Sequence, residues 1–237
     1  MVFSSLTFLF LFLPLTLAAY YACPARHRNL VALLASALFY AWGAPRFVIV
    51  LFVSGLMDYV LSRELPADRG TSGRRKGVLA LAVVLNIALL LYFKYANFFV
   101  AEMNAMLARF GGGPVPWAAV ALPIGISFFT FQKVSYLVDV YRGVAQPARN
   151  ALDYLLYVVL FPQLIAGPIV RYHDVARQLE ERDYTRERFF MGILRFSQGL
   201  GKKVLVANTM AELADAAFNA APAGLTCGQA WLGVLAY

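Results

Sequence analysis

Residues 78–93 read VLALAVVLNIALLLYF, a run in which Asn86 is the single strongly polar side chain. Arg74-Arg75-Lys76 stand just before it and Lys94 ends it. An apolar helix fenced by cations suits a bilayer, whose hydrocarbon core takes about 20 residues of helix. Similar runs recur along the 237 residues, 61% of which are hydrophobic and 14% charged, with a mean hydropathy of +0.64. A soluble domain sits nearer half apolar and a quarter charged. The expected fold is therefore all-α: a polytopic transmembrane helix bundle of about seven or eight membrane segments.

The segments follow from the punctuation. Residues 2–21 form a first span. They lack a basic leader and a clean small-residue cleavage site, so an uncleaved span is expected rather than a signal peptide. Apolar segments follow at about 30–42 and 47–61, separated by Gly43-Ala44-Pro45. A polar loop at 62–77 leads into a fourth span, 78–100, and Gly111-Gly112-Gly113-Pro114 separates that from a fifth at 117–141. A sixth covers 152–170, a charged stretch runs from 171 to 188, and a long helix is expected over 189–218 before a last apolar segment at 225–237.

Charge sets the orientation. The net charge of +8 comes from basic residues at the ends of apolar runs, which is a topology signal and excludes a nucleic-acid partner. Loops one, three and five carry Arg26 and Arg28, then Arg63, Arg69, Arg74, Arg75 and Lys76, then Arg142 and Arg149. The intervening loops carry Arg46 and Arg109. The N-terminus is thus expected outside and loop three in the cytoplasm. Arg171, Arg177, Arg182, Arg186 and Arg188 would break this alternation unless segment 152–170 fails to cross. Phe161-Pro162 and Gly167-Pro168 both interrupt helices, so a broken or re-entrant segment is expected there. After it, Tyr172, Val175, Ala176 and Leu179 share one face of a surface helix, and Thr185 is placed to cap the next.

Candidate chemistry is sparse. Cys23 and Cys227 cannot build a disulfide framework, and no metal-ligand spacing occurs. On the fifth segment Gln132, Ser135, Tyr136 and Asp139 fall on one stripe, with Lys133 near mid-helix. Lipid cannot satisfy such groups, so they line a substrate tunnel or hydrogen-bond to neighbouring helices. Lys133 at that depth calls for an acidic or carbonyl partner. Asp139 is expected to pair with Arg142, Asp58 to lie at the interface, and Lys94 to snorkel from a span end. On the long helix Arg195, Gln198, Lys202 and Thr209 share a narrow face, fit for the phosphates of coenzyme A or for lipid headgroups. His173 reads as a solvated histidine of the charged stretch, not a general base.

Several segments carry a family resemblance. Residues 92–98 (YFKYANF), 122–128 (LPIGISF) continuing to 139–143 (DVYRG), and 161–171 (FPQLIAGPIVR) resemble hallmarks of the bacterial membrane-bound O-acyltransferase (MBOAT) family. The opening residues 1–5 and the closing residues 230–237 resemble its polysaccharide-acetylating members. The resemblance implies an inner-membrane, multi-pass O-acyltransferase, and more narrowly an O-acetyltransferase. It would take an acyl group from acetyl-CoA or another cytoplasmic acyl thioester, with no tightly bound cofactor. The acceptor would be hydroxyls of an exported polysaccharide such as alginate, reached through periplasmic acetylation and export proteins. It also implies that residues 1–237 are the N-terminal portion of one membrane domain. The essential histidine of the family would then lie beyond Tyr237, no residue here would be catalytic, and this portion alone would be inactive. The competing class is half of a transporter or channel, which broken segments with buried polar groups also suit.

Overall fold

The computed structural model describes residues 3–164, 170–182, 184–220 and 224–237. All regular structure among them is helical, as expected. The chain forms two compact units, one of residues 13–182 and one of residues 2–12 with 183–237. Two helical stretches, Pro45–Ser62 and Ser72–Arg109, are long and apolar enough to cross a membrane by length and composition. The other expected segments are shorter helices, except for the long helix, which runs without a gap over 186–218.

In the first unit, α1 (Leu13–Ala22) packs on α2 (Arg28–Gly43), and the Gly43-Ala44-Pro45 break leads through a short 3-10 turn into α3 (Val48–Ser62). Helix α4 runs over Ser72–Arg109, which at 1.5 Å per residue is about 57 Å, well beyond a hydrocarbon core of about 30 Å. It starts earlier than the apolar run suggested, because Thr71 Oγ1 accepts from Arg74 N at 3.4 Å and caps a first turn built of polar residues. Arg75 then donates to Leu65 O at 2.7 Å and to Tyr141 O at 2.8 Å, its guanidinium lying 4.9 Å from the Tyr141 ring. The loop is thereby stapled to the carbonyl end of α5 (Ile126–Arg142), where a cation is also favoured by the helix dipole.

The fifth segment departs from expectation at its start. Residues 112–123 are not helical, and the helix begins at Ile126. Pro114, Pro116 and Pro123 lack the N–H that a helix needs, and Gly125 adopts the left-handed conformation (φ 77°) that redirects the chain. Side chains take over the pairing that the missing helix would have supplied. Asn97 Oδ1 accepts from Val120 N and Trp117 Nε1, both at 2.9 Å, while its Nδ2 donates to Val120 O at 2.7 Å. Two turns along α4, Asn104 Oδ1 accepts from Val115 N at 2.8 Å, and from α2 Tyr40 OH donates to Ile124 O at 3.1 Å. At its other end α5 closes in a Schellman pair, Val144 N to Asp139 O (2.9 Å) and Gly143 N to Val140 O (3.1 Å).

Helix α6 (Ala151–Val159) is the most buried element, packed against α2, α3 and α5. Asn150 caps it, accepting from Asp153 N at 2.8 Å. Asn29 of α2 reaches Asp153 Oδ1 (2.7 Å) and Leu179 O (2.8 Å), tying α2 and α6 to the surface helix α8 (Tyr172–Glu180). Helix α8 buries Tyr172 and Leu179 and half-buries Val175 and Ala176, the face expected from the sequence. Between them comes a four-residue helix, α7 (Phe161–Leu164). The expected break at Phe161-Pro162 is present, and Gly167-Pro168 lie outside the described residues. In the second unit α9 (Arg186–Gly201) continues through a π-helical turn, Lys202–Ala207, into α10 (Asn208–Phe218), which pairs with α11 (Cys227–Ala236). Thr185 caps α9 as expected, accepting from Arg188 N at 3.1 Å.

Candidate functional site

The polar groups of the first unit converge on two places. One is an ion pair joining α3 to α5: Lys133 Nζ lies 3.1 Å from Asp58 Oδ2, and both side chains are 0% exposed. The partner that Lys133 required is thus Asp58, which is not interfacial as expected but fully enclosed. Helix α4 completes the cluster, because Asn86 donates to Asp58 Oδ1 at 2.7 Å and to Ala82 O at 2.9 Å. The ring of Phe129, one turn back on α5, lies 5.8 Å from the ammonium. The Lys133–Asp58 contact is an ion pair rather than an aligned hydrogen bond, and Asn86 Oδ1 accepts from no described residue. A cation from one helix and an amide from another therefore share one enclosed carboxylate supplied by a third.

The second place is the break between α6 and α7. Ending α6 at Val159 frees the Tyr157 carbonyl and the Phe161 N–H from the helical ladder. Gln132 of α5 donates to Tyr157 O at 3.0 Å, and Gln163 donates to the same oxygen from beyond the break. Ser36 Oγ of α2 accepts from Phe161 N at 3.1 Å while donating to Ala32 O at 2.7 Å. Irregular backbone among apolar helices persists only when neighbours satisfy it in this way.

Beside both places stands a tyrosine cluster. Tyr136 lies 4.6 Å from Tyr154 and 4.9 Å from Tyr172, and Tyr157 lies 5.1 Å from Tyr172, ring centre to ring centre. Tyr136 OH donates to Ser62 Oγ (3.0 Å) and accepts from Ala148 N (3.0 Å), and Tyr157 OH donates to Val170 O (2.9 Å). Burial pushes the Tyr172 phenol, on the surface helix, well above its ordinary pKa.

Of the expected stripe, Gln132, Tyr136 and Asp139 are buried, as is Lys133 beside them, and each has a partner on another element, while Ser135 is half-buried and donates within its own helix to Gln132 O at 2.9 Å. Asp139 pairs with His173 Nδ1 at 3.2 Å rather than with Arg142, because the Schellman turn ends α5 and α8 folds back on it. His173 Nε2 also lies 3.3 Å from Asp174 Oδ1, so both ring nitrogens of this exposed residue face carboxylates and it helps fasten α8. Lys94 is exposed, its ammonium 5.5 Å from the centre of the Tyr95 ring. Arg195, Gln198 and Lys202 are exposed on α9 and the first position of the π turn. Thr209 leaves their face: an i→i+5 turn inserts about one extra residue, and so about 100° of rotation, before it. Among the described residues no group of three His, Cys, Asp or Glu side chains could hold a metal.

Similarity to known proteins agrees with the motifs. The chain is 44% identical, over all 237 residues, to a probable alginate O-acetylase AlgI of Azotobacter vinelandii and to one of Pseudomonas aeruginosa. It covers 47% and 45% of those two proteins. A peptidoglycan O-acetyltransferase of Helicobacter pylori is 31% identical over an alignment that takes in the whole chain and 50% of the relative. The chain therefore spans about half the length of the curated relatives it matches. No family model and no solved structure matches it. The relatives bear out the resemblance to the membrane O-acyltransferases.

Proposed function

We propose that this chain is the N-terminal portion of a multi-pass inner-membrane O-acetyltransferase that delivers acetyl groups to hydroxyls of an exported polysaccharide. The observation that carries it is 44% identity, without interruption of coverage, to proteins named as alginate O-acetylases. The same reading takes the donor to be acetyl-CoA or another cytoplasmic acyl thioester. It takes the partners to be the bilayer and periplasmic acetylation and export proteins. It places the N-terminus in the periplasm and loop three in the cytoplasm, as the distribution of arginine and lysine favours.

On this reading the polar residues of the first unit build the scaffold rather than perform the chemistry. Asp58, Asn86 and Lys133 lock three apolar helices in register, and Ser36, Gln132 and Gln163 sustain the backbone break between α6 and α7. The general base that deprotonates the acceptor hydroxyl comes from the remainder of the longer protein. A transporter or channel half is not favoured, since the matched relatives are named as acetyl-transferring enzymes.

The test is a hybrid. Residues 1–237 replace the matching portion of the Azotobacter vinelandii protein in a strain lacking it, and O-acetyl content of the secreted alginate is measured. Restored acetylation is expected from the hybrid and none from residues 1–237 alone. A hybrid that reaches the membrane at normal levels and leaves alginate unacetylated contradicts the proposal, as does transfer by residues 1–237 alone.

A further inference from the structure

Helix α9 is two-sided around its axis, with Arg186 and Ser197 as polar exceptions on its apolar side and Met191 as an apolar exception on its basic side. Placed at 100° per residue, Arg188, Arg195 and Lys202 recur at intervals of seven and fall within about 40° of one another, with Gln198 beside them. Gly192 and Gly199, also seven apart, lie on the same arc, and a Cβ added at either would meet no atom within 4 Å. The opposite arc is apolar: Phe189, Phe190, Ile193, Leu194, Phe196 and Leu200. No residue of α9 is buried. The π turn starts at Lys202 and rotates the residues beyond it, so the basic column ends there.

We infer that α9 lies in the plane of the membrane surface and that its Arg195–Lys202 face binds the phosphate of anionic phospholipid headgroups. Arg195 and Lys202 stand about 10.5 Å apart along the axis, both exposed, with no acidic partner among the described residues. Arg195 and Lys202, two like charges with no such partner, recruit an anion, and a guanidinium offers a phosphate two parallel N–H donors. The glycines leave part of the backbone between the cations uncovered, and Gln198 beside them offers an approaching headgroup a further N–H donor. The apolar arc settles which phosphate is meant. A helix that offers aromatic and aliphatic side chains over half its circumference immerses them in acyl chains, which brings the other half level with headgroups rather than with free nucleotides. This inference stands whether or not the chain takes part in acetyl transfer.

The test uses the chain in nanodiscs of phosphatidylcholine, with or without about one third phosphatidylglycerol. Amine-reactive labelling of Lys202 is read by peptide mapping, with Lys203, about a quarter turn away, as the internal control. Phosphatidylglycerol is expected to protect Lys202 more than Lys203. In detergent, titration with phosphatidylglycerol followed by native mass spectrometry is expected to show roughly fivefold weaker binding for Arg195→Gln or Lys202→Gln and roughly 25-fold for the double variant, at about 1 kcal/mol per cation. Both side chains are exposed, so the variants fold. Equal binding of wild type and double variant overturns the inference. So does protection of Lys202 by soluble adenosine 3′,5′-bisphosphate but not by phosphatidylglycerol, which would assign the face to a nucleotide.

Discussion

Replacing Lys133 with Met removes a charge and keeps most of the volume, leaving Asp58 enclosed without its counter-ion. The carboxylate is 0% exposed and, among the described residues, retains the Asn86 amide alone. Breaking an enclosed pair from one side costs about 3–5 kcal/mol. A ceiling comes from titration: an orphaned carboxylate can take up a proton instead, which at pH 7 costs about 4 kcal/mol for a group of ordinary pKa about 3.9. Asp58→Asn orphans the ammonium, which can shed its proton at a cost of about 4.6 kcal/mol from an ordinary pKa of about 10.4. The double variant Asp58→Asn/Lys133→Met strands no charge and keeps an amide for Asn86, so its loss is expected to stay within about 1 kcal/mol of zero. The coupling energy is therefore at least about 5 kcal/mol in magnitude, large against the 0.5–3 kcal/mol usual for contacting residues. Because the Lys133→Met cost is that of one proton, it shrinks by about 1.4 kcal/mol for each pH unit below 7, to about 1.5 kcal/mol at pH 5. Unfolding in nanodiscs at pH 5 and pH 7, for wild type, both single variants and the double, supplies every number. A double variant as unstable as the worse single one, or a Lys133→Met loss indifferent to pH, refutes the argument.

The break between α6 and α7 predicts redundancy. Gln132→Leu should cost about 1 kcal/mol while Gln163 still serves the Tyr157 carbonyl, and adding Gln163→Leu should raise the loss to about 1–3 kcal/mol by orphaning it; additive small effects in thermal unfolding would contradict the assignment. Asn97→Ala should free residues 115–120, seen as faster amide hydrogen exchange there while α5 stays protected, since Asn97 makes three of the bonds that hold them. Gly233→Ala should loosen the α10–α11 pair by about 1–3 kcal/mol, because the new Cβ would fall 2.3 Å from Ala217 Cβ; an unchanged melting temperature would show that the helices part freely.

Much of the architecture is legible in the sequence because the signals are local. Thr185 precedes a helix in which its hydroxyl accepts a backbone N–H group, and the Gly43-Ala44-Pro45 and Phe161-Pro162 interruptions fall where the chain bends. Lys133 is readable as a residue in need of an acid, since an isolated ammonium among apolar helices is untenable. Its partner is not readable. Asp58 lies 75 positions earlier, next to the end of an apolar run, and only the packing of α3 against α5 turns an interfacial-looking carboxylate inward. The Asp139–His173 contact escapes the sequence for the same reason, through the fold-back of α8. Residues 117–125 pass for helix because their apolarity outweighs Pro116, Pro123 and Gly125. The signal against it is the pair Asn97 and Asn104, two side-chain amides seven residues apart on α4. The π turn leaves no signal in the pattern of residues at all, which is why regular helical spacing groups Thr209 with Lys202.

The frame for all of this is α4, proposed to cross the bilayer with its Arg74-Arg75-Lys76 end in the cytoplasm. In a background with Cys23 and Cys227 changed to Ser, single cysteines at Gly73 and Phe110 would be challenged with a membrane-impermeant maleimide in intact spheroplasts and in inverted vesicles. Both sites are exposed, and Gly73 has open space for a side chain. The account predicts labelling at 73 only in inverted vesicles and at 110 only in spheroplasts. Labelling of both from the same side would mean that α4 does not cross, and would contradict the account.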